Sequence, residues 1–212
     1  MAVAYRPDIN RHNLISSSIG ENPMFSSFKE EFIGFLSPEE SLNMINEIGL
    51  WKDIKWETKA AARVYYHCGG HPMISRIFAG IACEHGALKY IDYVKVEETA
   101  SNICKTFRKN DIGNYYKEGV WDLMNDKEKE VLTLIYQTIC GAENYSESAN
   151  AKLPDPQTLD SVSAHLISES QIPVNLEDAL TNLEHFGLVM NENGRLNFSS
   201  ALFTSWLKRR LG

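Results

Sequence analysis

The sequence holds no apolar run near the ~20 residues that a helix needs to cross a bilayer, so no membrane-spanning helix is expected. Its first residues, Met1 to Pro7, have neither a basic stretch nor an apolar core of the secretory kind, which leaves the cytoplasm as the expected location. Positive charge is scarce. With 21 Lys and Arg against 28 Asp and Glu, the net charge of −7 speaks against general attraction to nucleic acid or anionic membranes, although a local basic patch remains compatible with it. Cysteines number 4, and Cys68, Cys83, Cys104 and Cys140 form neither a C-x-x-C pair nor a zinc-ligand spacing. Each lies in an apolar helical pattern and reads as a reduced core thiol. There is no G-x-S-x-G and no H-E-x-x-H, which removes two hydrolytic chemistries. The acidic pairs Glu30-Glu31, Glu39-Glu40 and Glu97-Glu98 read as helix-start or solvated charges.

What remains is ordinary globular composition, 43% hydrophobic and 23% charged over 212 residues, enough for one large domain or two small ones. Residues 1 to about 35 carry few elements: a brief strand at Ala2 to Tyr5, a turn-rich stretch from Ser16 to Phe25, and a short strand within Lys29 to Phe35. Ser37-Pro38-Glu39-Glu40 then offers an N-cap serine, proline at N1 and glutamate at N3, which together start a helix. That helix bears Leu42, Ile45 and Ile48 on one face. Helical periodicity continues over about 57 to 68, over Met73 to Cys83, and over about 95 to 108, giving a four-helix unit. Asp111 to Asn114 reads as a linker.

Beyond it the pattern predicts a helix from Asp126 to Cys140, a Ser/Asn/Pro-rich loop from Gly141 to Gln157, a helix over about 158 to 170, and a third from Asn175 to Phe186. Leu188 to Met190 and Arg195 to Phe198 flank Asn191-Glu192-Asn193-Gly194, a hairpin with Asn-Gly turn chemistry. An amphipathic helix from Ala201 to Leu211 closes the chain. Three helices followed by a two-stranded wing is winged-helix order. The expected fold is therefore mainly α.

The chain turns on Cys68-Gly69-Gly70-His71-Pro72-Met73. Two glycines permit φ > 0 and end one helix, and Pro72 opens the next where no backbone donor is lost. Free N–H groups at such a helix start can hold an anion or the edge of a base. The plainer reading is a tight corner and nothing more.

Taken in order, these elements resemble the C-terminal half of a STAND-type P-loop ATPase, the signal-transduction branch related to AAA+ proteins. Asn22-Pro23-Met24-Phe25 and Leu36-Ser37-Pro38-Glu39-Glu40 are similar to the family's exit from its nucleotide-binding core into the lid. Gly70-His71-Pro72 looks like the Gly-x-Pro lid motif that packs against the nucleotide base. Leu183 to Val189, with Phe203-x-x-Trp206-Leu207, is similar to the family's winged helix and closing helix. The resemblance implies a core remnant at 1–35, a helical lid at 36–110 and a winged helix at 111–212. It also implies a nucleotide-sensing regulatory module of the lid and winged helix, with Gly70, His71, Pro72 and Arg76 as the residues facing ATP or ADP. Arg63 is a second candidate for a phosphate contact, since a planar, always-charged fork suits that task; both arginines also read as plain surface helix residues.

Two departures limit the resemblance. No G-x-x-x-x-G-K-[ST] occurs, and no apolar strand ends in paired acids that would hold Mg²⁺, so the chain is not expected to hydrolyse ATP by itself. Nucleotide binding would require the P-loop core of the same or a partner protein, the chain being a fragment or a split subunit. In addition, Asn197-Phe198-Ser199 stands where some members place a Met-His-Asp sequence whose His reaches the ADP phosphate. Protein partners are expected, and a membrane is not. Nucleic acid is disfavoured because Asn175 to Phe186 carries Glu177, Asp178 and Glu184 and no Lys or Arg. The alternatives are a DNA-binding winged-helix regulator and a protein-interaction scaffold. His67 and His71 are four apart, but the Gly-Gly break removes the shared helical face that a metal site would need, so no metal is expected.

Overall fold

The computed structural model describes residues 34–84, 89–141, 167–168, 172–193 and 195–212. The expected features at 2–5, at 16–25, at 29–33 and in most of 142–170 lie outside the described residues. Gly34 and Phe35 belong to no regular element.

The described chain is mainly helical, as its periodicity predicts. Helix α1 spans Pro38–Trp51, and both arms of its cap are made: the Ser37 hydroxyl accepts from the Glu40 N–H at 3.2 Å and the Glu40 carboxylate accepts from the Ser37 N–H at 2.8 Å. Strand β1 (Lys55–Trp56) leads into α2 (Thr58–Cys68), which turns at Gly69 into α3 (Pro72–Cys83). Strand β2 (Tyr90–Ile91) pairs parallel to β1, with Trp56 opposite Ile91. Helix α4 (Tyr93–Thr106) follows, capped by the Asp92 carboxylate on the Lys95 N–H at 2.8 Å. The helices bury one stripe each, including Ile45 of α1, Val64 of α2, Phe78 of α3 and Ile103 of α4.

Asp111–Asn114 is a helical turn, α5, rather than a loose linker. Asn110 caps it through the Gly113 N–H at 2.7 Å, and Ile112 and Gly113 are buried. A β-carbon on Gly113 would lie 1.8 Å from the Phe107 carbonyl oxygen, so the turn is packed directly onto the end of α4. The short polar sequence Asp-Ile-Gly-Asn has turn composition, and tertiary packing decides its state. The backbone continues as a wider π-helical turn over Tyr115–Val120 and a 3₁₀ turn over Trp121–Leu123.

Helix α6 spans Asp126–Gly141. Its start is a reciprocal cap between Asn125 and Glu128, both bonds at 2.9 Å, and the second Glu128 oxygen accepts from Asn182 of α7 (Glu177–His185) at 3.1 Å. A 3₁₀ turn at Val174–Leu176 precedes α7. Ile167–Ser168, where sequence periodicity predicts the end of a helix, is strand β3. Strands β4 (Val189–Glu192) and β5 (Arg195–Phe198) form the expected antiparallel ribbon, with Asn193 at φ 55° in its turn. β3 adds to the far side of β5, giving the order β3-β5-β4. Helix α8 (Ala201–Leu211) ends the chain and buries Leu202, Phe203, Trp206 and Leu207.

The described residues form one compact unit, and among them a single continuous core runs from Ile45 to Leu207. Cys68 is a buried thiol; Cys83 and Cys104 are half-buried, and all three are free. Among the described residues no helix is long and apolar enough to cross a membrane.

Candidate functional site

The corner between α2 and α3 is built from two consecutive left-handed glycines, Gly69 at φ 62° and Gly70 at φ 72°. Conformation is only half of the demand for glycine here. A β-carbon on Gly69 would lie 2.7 Å from the Ser199 carbonyl oxygen, and one on Gly70 would lie 2.2 Å from the Leu36 carbonyl oxygen. Two other segments therefore press against the corner backbone. The Leu36 N–H donates to the Gly70 carbonyl at 3.0 Å, which fixes the entry to α1 against it.

His71 is the N-cap of α3 and Pro72 its first residue. The His71 ring is half-buried between Phe35, 4.7 Å away by ring centroids, and the edge of Tyr115 at 5.1 Å. Its Nδ1 faces the Ile74 N–H across a long 3.5 Å, which makes Nδ1 the acceptor and leaves the Nε2 proton to the Tyr115 hydroxyl at 2.8 Å. Burial pushes the imidazole down to about 4, so the ring is neutral at physiological pH. The helix start is thus partly closed by its own cap, and the imidazole is engaged internally rather than solvated.

A second set of bonds joins the corner to the end of the chain. The Ser200 hydroxyl, N-cap of α8, donates to the His67 carbonyl at 2.7 Å and accepts from the Phe203 N–H at 3.2 Å. The Tyr116 hydroxyl, at 3.3 Å, is left to donate to Ser200. Next to it, the Ser199 hydroxyl donates to the Gly187 carbonyl. The π turn serves this arrangement, since it directs the neighbours Tyr115 and Tyr116 to different partners on the two sides of the seam. Between Cys68, His71, Tyr115, Tyr116, Ser199 and Phe203 lies a cavity of about 10 Å³, room for about one water molecule. Small-molecule sites run to about 300 Å³ or more, so no base enters here.

The four expected site residues accordingly divide. Gly70 and His71 face the interior seam. Pro72 is half-exposed and Arg76, one turn further along α3, is exposed, so only these two present an outer surface to a ligand. Arg63 is not a surface residue: its side chain is 6% exposed, and its Nε donates to Glu97 of α4 at 2.6 Å. The Tyr66 ring covers its guanidinium at 4.0 Å, and Nη2 is buried without a hydrogen-bond partner. His67 Nε2 reaches the same Glu97 oxygen at 3.1 Å, and its ring stacks on Phe78. Burial alone would raise the Glu97 carboxyl; hydrogen bonds from His67 and Arg63, with their charges, outweigh it and bring it down. Arg63 is committed to holding α2 on α4.

No group of His, Cys, Asp and Glu among the described residues is arranged to hold a metal ion. Sequence reasoning passed over Tyr115, Tyr116 and Ser200, and it read Glu97 as a helix-start or solvated charge, whereas that carboxylate is half-buried and paired with Arg63 and His67. Ser200 carried one usable signal, a serine before an apolar-periodic run, which marks an N-cap. The tyrosines carried none, because a π turn has no sequence signature. Compared with known families and curated proteins, the chain matches no family model and no curated protein.

Proposed function

We propose that this chain is a four-helix lid and winged-helix module of a STAND-type ATPase, sensing ATP or ADP bound to a P-loop core that this sequence lacks and that the same or a partner protein would supply. Helices α1–α4 act as the lid, and α6–α8 with the β3-β5-β4 ribbon act as the winged helix. The observation that carries this reading is the shared seam: the Gly-Gly-His-Pro corner and the N-cap of α8 are linked through His67, His71, Tyr115, Tyr116 and Ser200. A base resting on Pro72, with Arg76 beside it, would press on the same corner that holds α8. Nucleotide state would then reach the winged helix through hydrogen bonds of neutral groups, with the packed turn at residues 109 to 116 as the pivot.

The chain supplies binding and relay, and phosphate and Mg²⁺ chemistry belongs to the core. A DNA-reading role fits less well, because α7 exposes Glu177 and Asp178 where a groove-reading helix would need cations. Calorimetry of ATP and ADP with the chain joined to its P-loop core tests the proposal. Binding that a Pro72→Ala/Arg76→Ala double substitution weakens about tenfold, ~1.4 kcal/mol, supports it. Equal binding by wild type and variant, or none by either, removes the corner from nucleotide sensing.

A further inference from the structure

A chain of net charge −7 brings cations of α8, α6 and the π turn together beside Trp121 and Asp122. The Arg210 guanidinium of α8 lies 5.6 Å from the Trp121 ring, and Lys129 of α6 lies 5.8 Å from the same ring. Arg209 lies 5.8 Å from the ring of Phe107, which is flanked in sequence by the exposed Lys105 and Arg108. Lys117, on the π turn, is held by Asp122 at 2.8 Å and Glu118 at 4.0 Å. Arg210 and Lys129 also bear on Asp122, so that Arg210, Lys129 and Lys117 share one carboxylate and the first two share one indole. Arg209, Arg210, Lys105, Arg108 and Lys129 make no salt bridge among the described residues.

Helix dipoles explain part of this, since cations are favoured in a last turn, as at Lys105, Lys208, Arg209 and Arg210. They do not explain Lys129, which stands in the first turn of α6 against the dipole, nor Lys117 on the π turn. Ring contacts orient Lys129, Arg209 and Arg210 before any partner arrives, which lowers the ordering cost of binding.

We propose that this face docks an acidic segment of a partner protein. Carboxylates suit it better than a nucleic-acid strand on two counts. Phe107 is buried, and the half-buried Trp121 has Trp206 beside it and two cations over its ring, so no open ring is left for a base to stack on. Asp122 and Glu118 interrupt the patch and would repel phosphates held at the fixed spacing of a nucleic-acid backbone, whereas carboxylates on flexible side chains can settle to either side of them. The proposal is independent of the nucleotide reading.

Calorimetric titration of the full chain with a short oligoglutamate peptide, and separately with an oligothymidylate of matched charge, tests it. Oligoglutamate is expected to bind, to weaken with added salt, and to weaken about tenfold in Lys129→Ala/Arg209→Ala/Arg210→Ala, three surface charges at roughly 0.5 kcal/mol each. Circular dichroism checks the fold of that variant, and Arg210→Ala alone serves if the triple variant does not fold, with a weaker loss in the same direction. Tighter binding of the oligothymidylate, no binding of either probe, or oligoglutamate binding unchanged in a folded variant overturns the proposal.

Discussion

Two polar clusters lie only four residues apart along α2 and the corner, and they are built on opposite principles. At His67 the side chain joins the buried Arg63 and the half-buried Glu97, a charged group inside the helical half. At His71 the side chain joins Tyr115, and one turn back the His67 carbonyl joins Ser200, so uncharged partners bind segments far apart in sequence. Removing one member of a buried ion pair strands the other charge at a cost of about 3–5 kcal/mol, whereas a neutral hydrogen bond is worth about 1 kcal/mol net. The first cluster is a fixture. The second can part and re-form at little cost, and a nucleotide-driven movement would be expected there.

The comparison breaks most completely at the corner backbone itself. Gly70→Ala places a β-carbon against the Leu36 carbonyl at φ 72° and is expected to destabilise the chain by ~3 kcal/mol or more, read from urea unfolding. Gly80→Ala is its control: the helical Gly80 meets nothing within 4 Å, and the substitution should stabilise by ~0.5–1 kcal/mol. Equal effects at the two glycines would show that the corner is not tightly held.

Glu97→Gln tests the fixture. It leaves Arg63 buried without its counter-charge and should cost about 2–3 kcal/mol, less than a fully buried pair because the Glu97 side chain is 26% exposed. Melting temperatures compared with those of Glu98→Gln, an exposed neighbour, measure the difference, and equal values would mean that the ion pair is idle.

Acid sharpens the contrast at the second histidine. The His71 imidazole keeps its neutral form in the folded chain down to about pH 4, while in the unfolded chain it takes a proton below its ordinary 6.5. Unfolding therefore takes up a proton in that window, and stability should fall by up to about 1.4 kcal/mol per pH unit between the two values. His71→Phe should flatten that part of the profile in denaturant titrations. A slope unchanged by the substitution would assign it to another group.

Much of this fold was legible because its helices are capped by local chemistry. Ser37 with Glu40, the Gly-Gly-His-Pro break and the turn at Asn193 all lie where short-range rules place them. Asp111–Asn114 was not legible, because its helical state comes from Gly113 packing on Phe107, a contact that composition does not encode. Ile167–Ser168 likewise became a strand through pairing with β5. At the candidate site, Gly70, His71 and Pro72 were readable as a corner. The inward turn of His71 and the burial of Arg63 were not, since both depend on partners 44 and 34 residues away.

The central claim is that the corner and α8 respond together to nucleotide. Hydrogen exchange on the chain joined to the P-loop core proposed for it, with and without ADP, tests it most directly. The account predicts that protection changes at 69–75 and at 200–204 in step, and that Tyr115→Phe uncouples the two. Protection that changes at the corner alone, or at neither segment, would contradict it.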